Sequence, residues 1–169
     1  MRKYFSLFLF AIVCAFSHSS VAQKKEGQAL VDHLLSKISK SSSDTSKVSL
    51  LNDLSNAYFD IDIEKGMIYA KQANEQAKKI KWESGIAYSN LNTTSYSILK
   101  TDYASALKKG KTTLNQFQKL NDNKGIALTH LRIGKAQMLQ GSYPNALSSC
   151  FEALSIFEKL NDQKGIAET

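Results

Sequence analysis

The feature that most constrains this chain is a repeat. Lys119-Leu120-Asn121-Asp122-Asn123-Lys124-Gly125-Ile126-Ala127 returns as Lys159-Leu160-Asn161-Asp162-Gln163-Lys164-Gly165-Ile166-Ala167. The end of the motif occurs once more as Gly85-Ile86-Ala87, and each copy lies 40 residues from the next. The period runs through the interior too. Tyr103, Ala106, Leu107, Leu114 and Phe117 correspond to Tyr143, Ala146, Leu147, Leu154 and Phe157 at the same offset. A fixed period of this length marks a solenoid, in which each copy is a small unit that buries its apolar side on its neighbours.

Each period holds two helices. Ala146, Leu147, Cys150, Ala153, Leu154 and Phe157 recur at helical spacing and form one apolar face. The helix before them is expected over residues 124–140, with Gly141-Ser142 as the turn. Asp62, Asp102 and Ser142 share one register, where a side-chain oxygen can accept from the free N–H groups that open the second helix. Pro144, the single proline, falls in a first turn, where its missing N–H costs little. A further helix is expected before the repeats, over about residues 26–39, with Leu30, His33, Leu34 and Ile38 turned towards the array. The polar run Ser41-Ser42-Ser43-Asp44-Thr45-Ser46 then reads as a linker.

Ile133-Gly134, Gly141, Tyr143, Ala146, Ala153 and Leu154 resemble the signature of the tetratricopeptide repeat (TPR) family at matching spacings. The first copy gives Leu54-Ser55, Tyr58, Gly66, Ala70 and Ala73, and on that alignment is one residue short between its helices. The middle copy departs, with Thr93-Thr94 for Leu-Gly and Gly110 for a large apolar residue. His130, Gln137 and Glu158 replace the family's Trp, Tyr and Pro. The 40-residue period also exceeds the family's usual 34. The resemblance implies an all-α fold, a right-handed TPR α-solenoid of antiparallel helix pairs. About three repeats are expected, over residues 47–81, 82–121 and 122–161, with a truncated fourth over 162–169 and the helix and linker over 23–46.

The same resemblance implies a protein or peptide partner in the concave face. Its groove positions fall on Asn52, Asn56, Tyr88, Asn92, Ser95, Arg132 and Lys135, with Leu128 and Leu131 beside them. Asparagine offers both donor and acceptor to an extended backbone, and Arg132 can grip a carboxylate with two parallel bonds. Asn56, Asn92 and Arg132 match three of the five places of the family's carboxylate clamp. Its two lysine places hold Asn52 and Leu128.

The front of the chain reads as a signal peptide over residues 1–22. Arg2 and Lys3 precede an apolar run over residues 4–16, too short to span a bilayer, and Ser20-Val21-Ala22 supplies the small residues a peptidase needs. Cleavage before Gln23 exports the chain to the periplasmic or extracytoplasmic side. It lowers the net charge from +7 to +5 and leaves Cys150 as the remaining cysteine, so no internal disulfide forms. The lysines do not cluster as a nucleic-acid-binding module requires, and no nucleic-acid partner is expected. No phosphate loop, metalloprotease motif or nucleophile elbow occurs, so these residues carry no catalysis, cofactor or metal site. His33 and His130 lack cysteine partners at ligand spacing.

Signal peptide, helix and long-period TPRs together resemble the exported front of bacterial, Bacteroidetes-like sensor histidine kinases and helix-turn-helix regulators. The chain is therefore expected to be the front part of a longer signalling protein whose membrane segment lies beyond Thr169. A free-standing periplasmic TPR adaptor, and the front of an enzyme with its catalytic domain downstream, are the alternatives.

Overall fold

The computed structural model describes residues 27–41 and 44–169; the expected signal peptide and its cleavage site lie outside the described residues. Eight helices follow one another: α1 (27–40), α2 (Asp44–Ala57), α3 (Ile63–Lys79), α4 (Glu83–Leu99), α5 (Tyr103–Leu120), α6 (Asn123–Leu139), α7 (Tyr143–Lys159) and α8 (Gln163–Glu168). There is no strand among the described residues. Each helix packs on the next, and α2 also touches α4, and α4 touches α6. The second helices of successive pairs make no comparable contact, so α2, α4 and α6 form the crowded inner layer of a TPR-like solenoid.

A twenty-residue beat underlies the forty-residue period. Lys81, Thr101, Asn121, Gly141 and Asn161 all have φ between 53° and 80°. Each ends a helix in the left-handed conformation, and the residue after it opens the next helix. Asp62 accepts from the Lys65 N–H at 3.0 Å and Asp102 from the Ser105 N–H at 3.1 Å. Asp122 and Asp162 cap α6 and α8 through the Gly125 and Gly165 N–H groups. Ser142 does not cap α7; its hydroxyl instead accepts from the Asn145 amide. The shorter serine side chain is thereby drawn to its neighbour, and the cap expected there is absent.

The repeated Gly-Ile-Ala now has a physical reading. A Cβ on Gly125 would overlap the ring of Phe117, and one on Gly165 the ring of Phe157. Both rings are fully buried, so the glycine is the notch that lets the aromatic of one pair seat against the next. Ala87 and Ala127 are fully buried beside these notches, in clusters with Leu91 and Leu131.

Three sequence expectations are corrected. Helix α1 buries Val31 and Leu34 with Ile38 partly covered, while Leu30 stays 49% exposed and His33 is exposed. Leu34 and Ile38 face the array as expected, while Val31 takes the place expected for Leu30 and His33 and meets Leu54 and Tyr58. The polar linker is shorter, since α2 already begins at Asp44. The first copy is also not one residue short. Asn52 and Asn92 meet at an offset of 40, Asp62 and Asp102 cap at the same offset, and Leu54 takes the buried register of Thr94 and Gly134.

Helix α4 explains the irregular middle copy. Ser89, Thr94, Ser95 and Ser97 are buried, and each hydroxyl donates to the carbonyl four residues earlier at 2.7–3.3 Å. Short hydroxyl side chains that satisfy themselves on their own helix can enter a crowded layer without orphaned polar groups.

Candidate binding groove

The inner layer of helices forms a groove of about 810 Å³, running from α2 across α4 and α6 to the start of α8. Asp53, Asn56 and Asp60 line its first end, with Phe59 beside them. Trp82, Tyr88, Leu91 and Asn92 form the middle. Lys124, Leu128 and Arg132 line the far end, with Asp162, Lys164 and Glu168. No cysteine or histidine lines it.

A column at 40-residue spacing, Asn52, Asn92 and Arg132, builds the floor. Asn92 Nδ2 donates to the Asn52 carbonyl at 3.1 Å and to Asn52 Oδ1 at 3.3 Å, while Asn52 Nδ2 reaches the Gly85 carbonyl at 3.5 Å. Both amides are nearly closed off, at 6% and 4% exposure. They hold repeat to repeat more than they offer themselves to a ligand. Arg132 continues the column differently: its Nε donates to Ser95 Oγ at 3.1 Å, which fixes the side chain in the lining of the groove. Burial pulls its pKa below the usual arginine range, opposed by the charge of Glu168. No carboxylate comes within ion-pair distance of it among the described residues.

The other positions divide in the same way. Tyr88 donates its hydroxyl to Asp122 Oδ2 at 2.9 Å and sets its ring edge-on to Phe117, so it is a wall of the groove with its polar tip already used. Burial and the Asp122 carboxylate both push the Tyr88 pKa up. Asn56 is exposed at the acidic end. Lys135 is exposed but does not line the groove, and Leu131 is buried in the core behind it. The groove thus brings together Asn52, Asn56, Tyr88, Asn92, Ser95 and Arg132, and leaves Lys135 out.

Residues that sequence reasoning did not place complete the site. Lys124 Nζ pairs with Asp162 Oδ2 at 2.9 Å across one repeat step, and Lys164 pairs with Glu168 at 3.9 Å. The Lys124 bond holds the Asp162 carboxyl below its ordinary pKa, helped by the Gly165 N–H. At the other end, desolvation raises the Asp53 pKa, partly offset by Lys37 from α1. Trp82, the single tryptophan, occupies the register of Asp122 and Asp162 and caps nothing. That break in register was the signal that could have found it. Among the described residues no group of three or more His, Cys, Asp or Glu could hold a metal ion, and Cys150 is half-buried on α7.

No protein-family model matches this chain, and no curated protein does. Solved structures do match. The chain is similar to the crystal structure of a Rap protein complexed with competence and sporulation factor, at TM-score 0.77 and 20% identity, over 90% of this chain and 44% of that one. It is also similar to a STAND protein (signal transduction ATPase with numerous domains) with a tetratricopeptide repeat sensor from Pyrococcus horikoshii, at TM-score 0.64 and 20% identity. That match covers 86% of this chain and 24% of the other. The chain spans less than half the length of either protein. Their shared architecture is the TPR-like helical repeat, and that is the fold of this chain.

Proposed function

We propose that these residues form a peptide-binding module whose ligand lies extended in the groove of α2, α4 and α6. The observation that carries this is Arg132: a cation fixed by Ser95 in the groove lining, with no carboxylate at ion-pair distance among the described residues and only the longer-range field of Glu168. A partly buried charge with no ion pair is costly, and an anionic group on a ligand offsets that cost. The Rap likeness supports the reading, because that protein was solved with a bound factor. No bond-making chemistry is asked of the groove; its task is recognition.

The wider setting belongs to the same proposal. The signal-peptide pattern of residues 1–22 supports export, and the likeness to a signal transduction ATPase with a TPR sensor supports a sensing segment; the membrane-signalling parent is the reading that joins the two. No helix of the described residues is long and apolar enough to cross a membrane. The anchor and output of such a protein therefore belong to segments beyond those described.

The test is hydrogen–deuterium exchange with a pool of random short peptides. The proposal expects added protection in α2, α4 and α6, and little change on the outward faces of α3, α5 and α7. Protection confined to α3, α5 and α7, or none anywhere, contradicts it.

A further inference from the structure

We propose that the groove is bipolar and selects a peptide with a basic group at one end and an acidic group at the other. This rests on the peptide-binding reading above and names the ligand class.

The charges that line the groove are segregated by repeat. Asp53 and Asp60 stand at the α2 end, where no cation lines the groove. The middle, from Trp82 to Ser95, is uncharged. All three lining cations, Lys124, Arg132 and Lys164, belong to the α6 and α8 end. Asp162 pairs with Lys124 at 2.9 Å and Glu168 with Lys164 at 3.9 Å; Arg132 feels Glu168 only at longer range and has no ion pair, so three cations face two carboxylates. Neither Asp53 nor Asp60 has an ion-pair partner among the described residues, although Lys37 behind α2 weakens the field of Asp53. The ends of the groove therefore carry opposite unbalanced charge, in a concave wall where field lines are focused.

The neutral middle has its own preference. Trp82, Tyr88 and Leu91 offer rings and an aliphatic side chain, while the Asn92 and Asn52 amides are mostly spent on each other. The polar groups still free to read a ligand lie at the two ends, at Asn56 and Arg132. A ligand with small or apolar residues between its charges fits this division. A uniformly charged peptide meets its own sign at one end, and such like-charge contact is heavily penalised.

Three end-capped peptides test this on the full chain, with Trp82 fluorescence and calorimetry as readouts. One carries lysines at one end and aspartates at the other around a Ser-Ala middle; the second has lysines at both ends, and the third aspartates at both ends. The bipolar peptide should bind about tenfold tighter than either uniform one, the size of effect expected from one unfavourable charge contact. Asp60→Lys should move the preference towards the all-aspartate peptide, and Arg132→Glu towards the all-lysine peptide, with helicity unchanged by circular dichroism. Asp60 is exposed, so its exchange tests the idea even if the arginine variant folds poorly. Equal affinity for all three peptides, or a preference that neither exchange moves, overturns the bipolar groove while leaving a peptide groove standing. Failure of all three to bind overturns both.

Discussion

The step from the first helix pair to the second, and the step from the second to the third, use one backbone period and two kinds of chemistry. In the first step an apolar cluster of Val48 and Ala77 with Trp82 and Ile86 is joined by polar contacts buried in the inner layer. Asn92 donates its amide to Asn52, Tyr96 donates to the Ser55 carbonyl in the notch at Gly66, and Asn74 Nδ2 donates to Asn90 Oδ1 at 3.1 Å. In the second step Phe117 fills the notch at Gly125, and Gly110 makes room for Ile133. Position 136 is a fully buried alanine where position 96 is a tyrosine. The polar column does not vanish in the second step; there Arg132 donates to Ser95 and lines the groove. The period fixes the solenoid, and recognition sits where the two steps differ.

The comparison can be broken most severely at Phe117. Phe117→Ala removes the ring that seats the third pair and should cost about 4 kcal/mol in urea unfolding followed by circular dichroism. Asn92→Ala attacks the first step instead. It strips the donor from Asn52 in a closed layer and should cost about 2 kcal/mol, with faster amide exchange in α2 as its local mark. Thr113 sharpens the contrast in the other direction. Its hydroxyl is buried with no hydrogen-bond partner, while Ala73 and Ala153 hold the same register. Thr113→Ala should therefore stabilise by about 1 kcal/mol, visible as a raised melting temperature.

Ser142→Asp restores the cap that Asp62 and Asp102 supply elsewhere, and should add about 0.5 kcal/mol at neutral pH. The gain should disappear in acid, as the new carboxylate protonates. Smallest is the effect of Lys124→Met on the titration of Asp162. The folded pKa of Asp162 is depressed, so its contribution is present above its unfolded value near 3.8 and is lost as pH falls through the folded value. Removing the lysine should move the carboxyl titration, followed by NMR, back up towards 3.8.

Much of the fold was legible because a solenoid writes its contacts as a period. Gly125, Phe117 and Ala127 recur at the 40-residue offset, so their shared register could be read from spacing, while the seat of the Phe117 ring on Gly125 could not. Helix α1 departs at Leu30 and His33, where Val31 is buried instead, because it stands outside the period and has no second copy to fix its face. The first copy was misaligned for a related reason: Leu54 fills the register that Gly134 holds later, and a large residue there hides the match. The groove was half legible. Asn92 and Arg132 sit where the family places its ligand contacts, but sequence could not show that Asn52 and Asn92 are consumed by each other. Asp60, Trp82 and Lys124 lie at helix ends and turns, where the path of the chain, and not the helical face, decides what meets the groove.

The most direct measurement is an NMR titration of the full chain with the bipolar peptide, observing two side-chain N–H signals, Trp82 Nε1 and Arg132 Nε. The account predicts that both shift together and saturate at one ligand concentration, while backbone signals on the outward face of α5 stay still. Unmoved Trp82 and Arg132 signals alongside shifts on α3, α5 or α7 would contradict a ligand held in the inner groove.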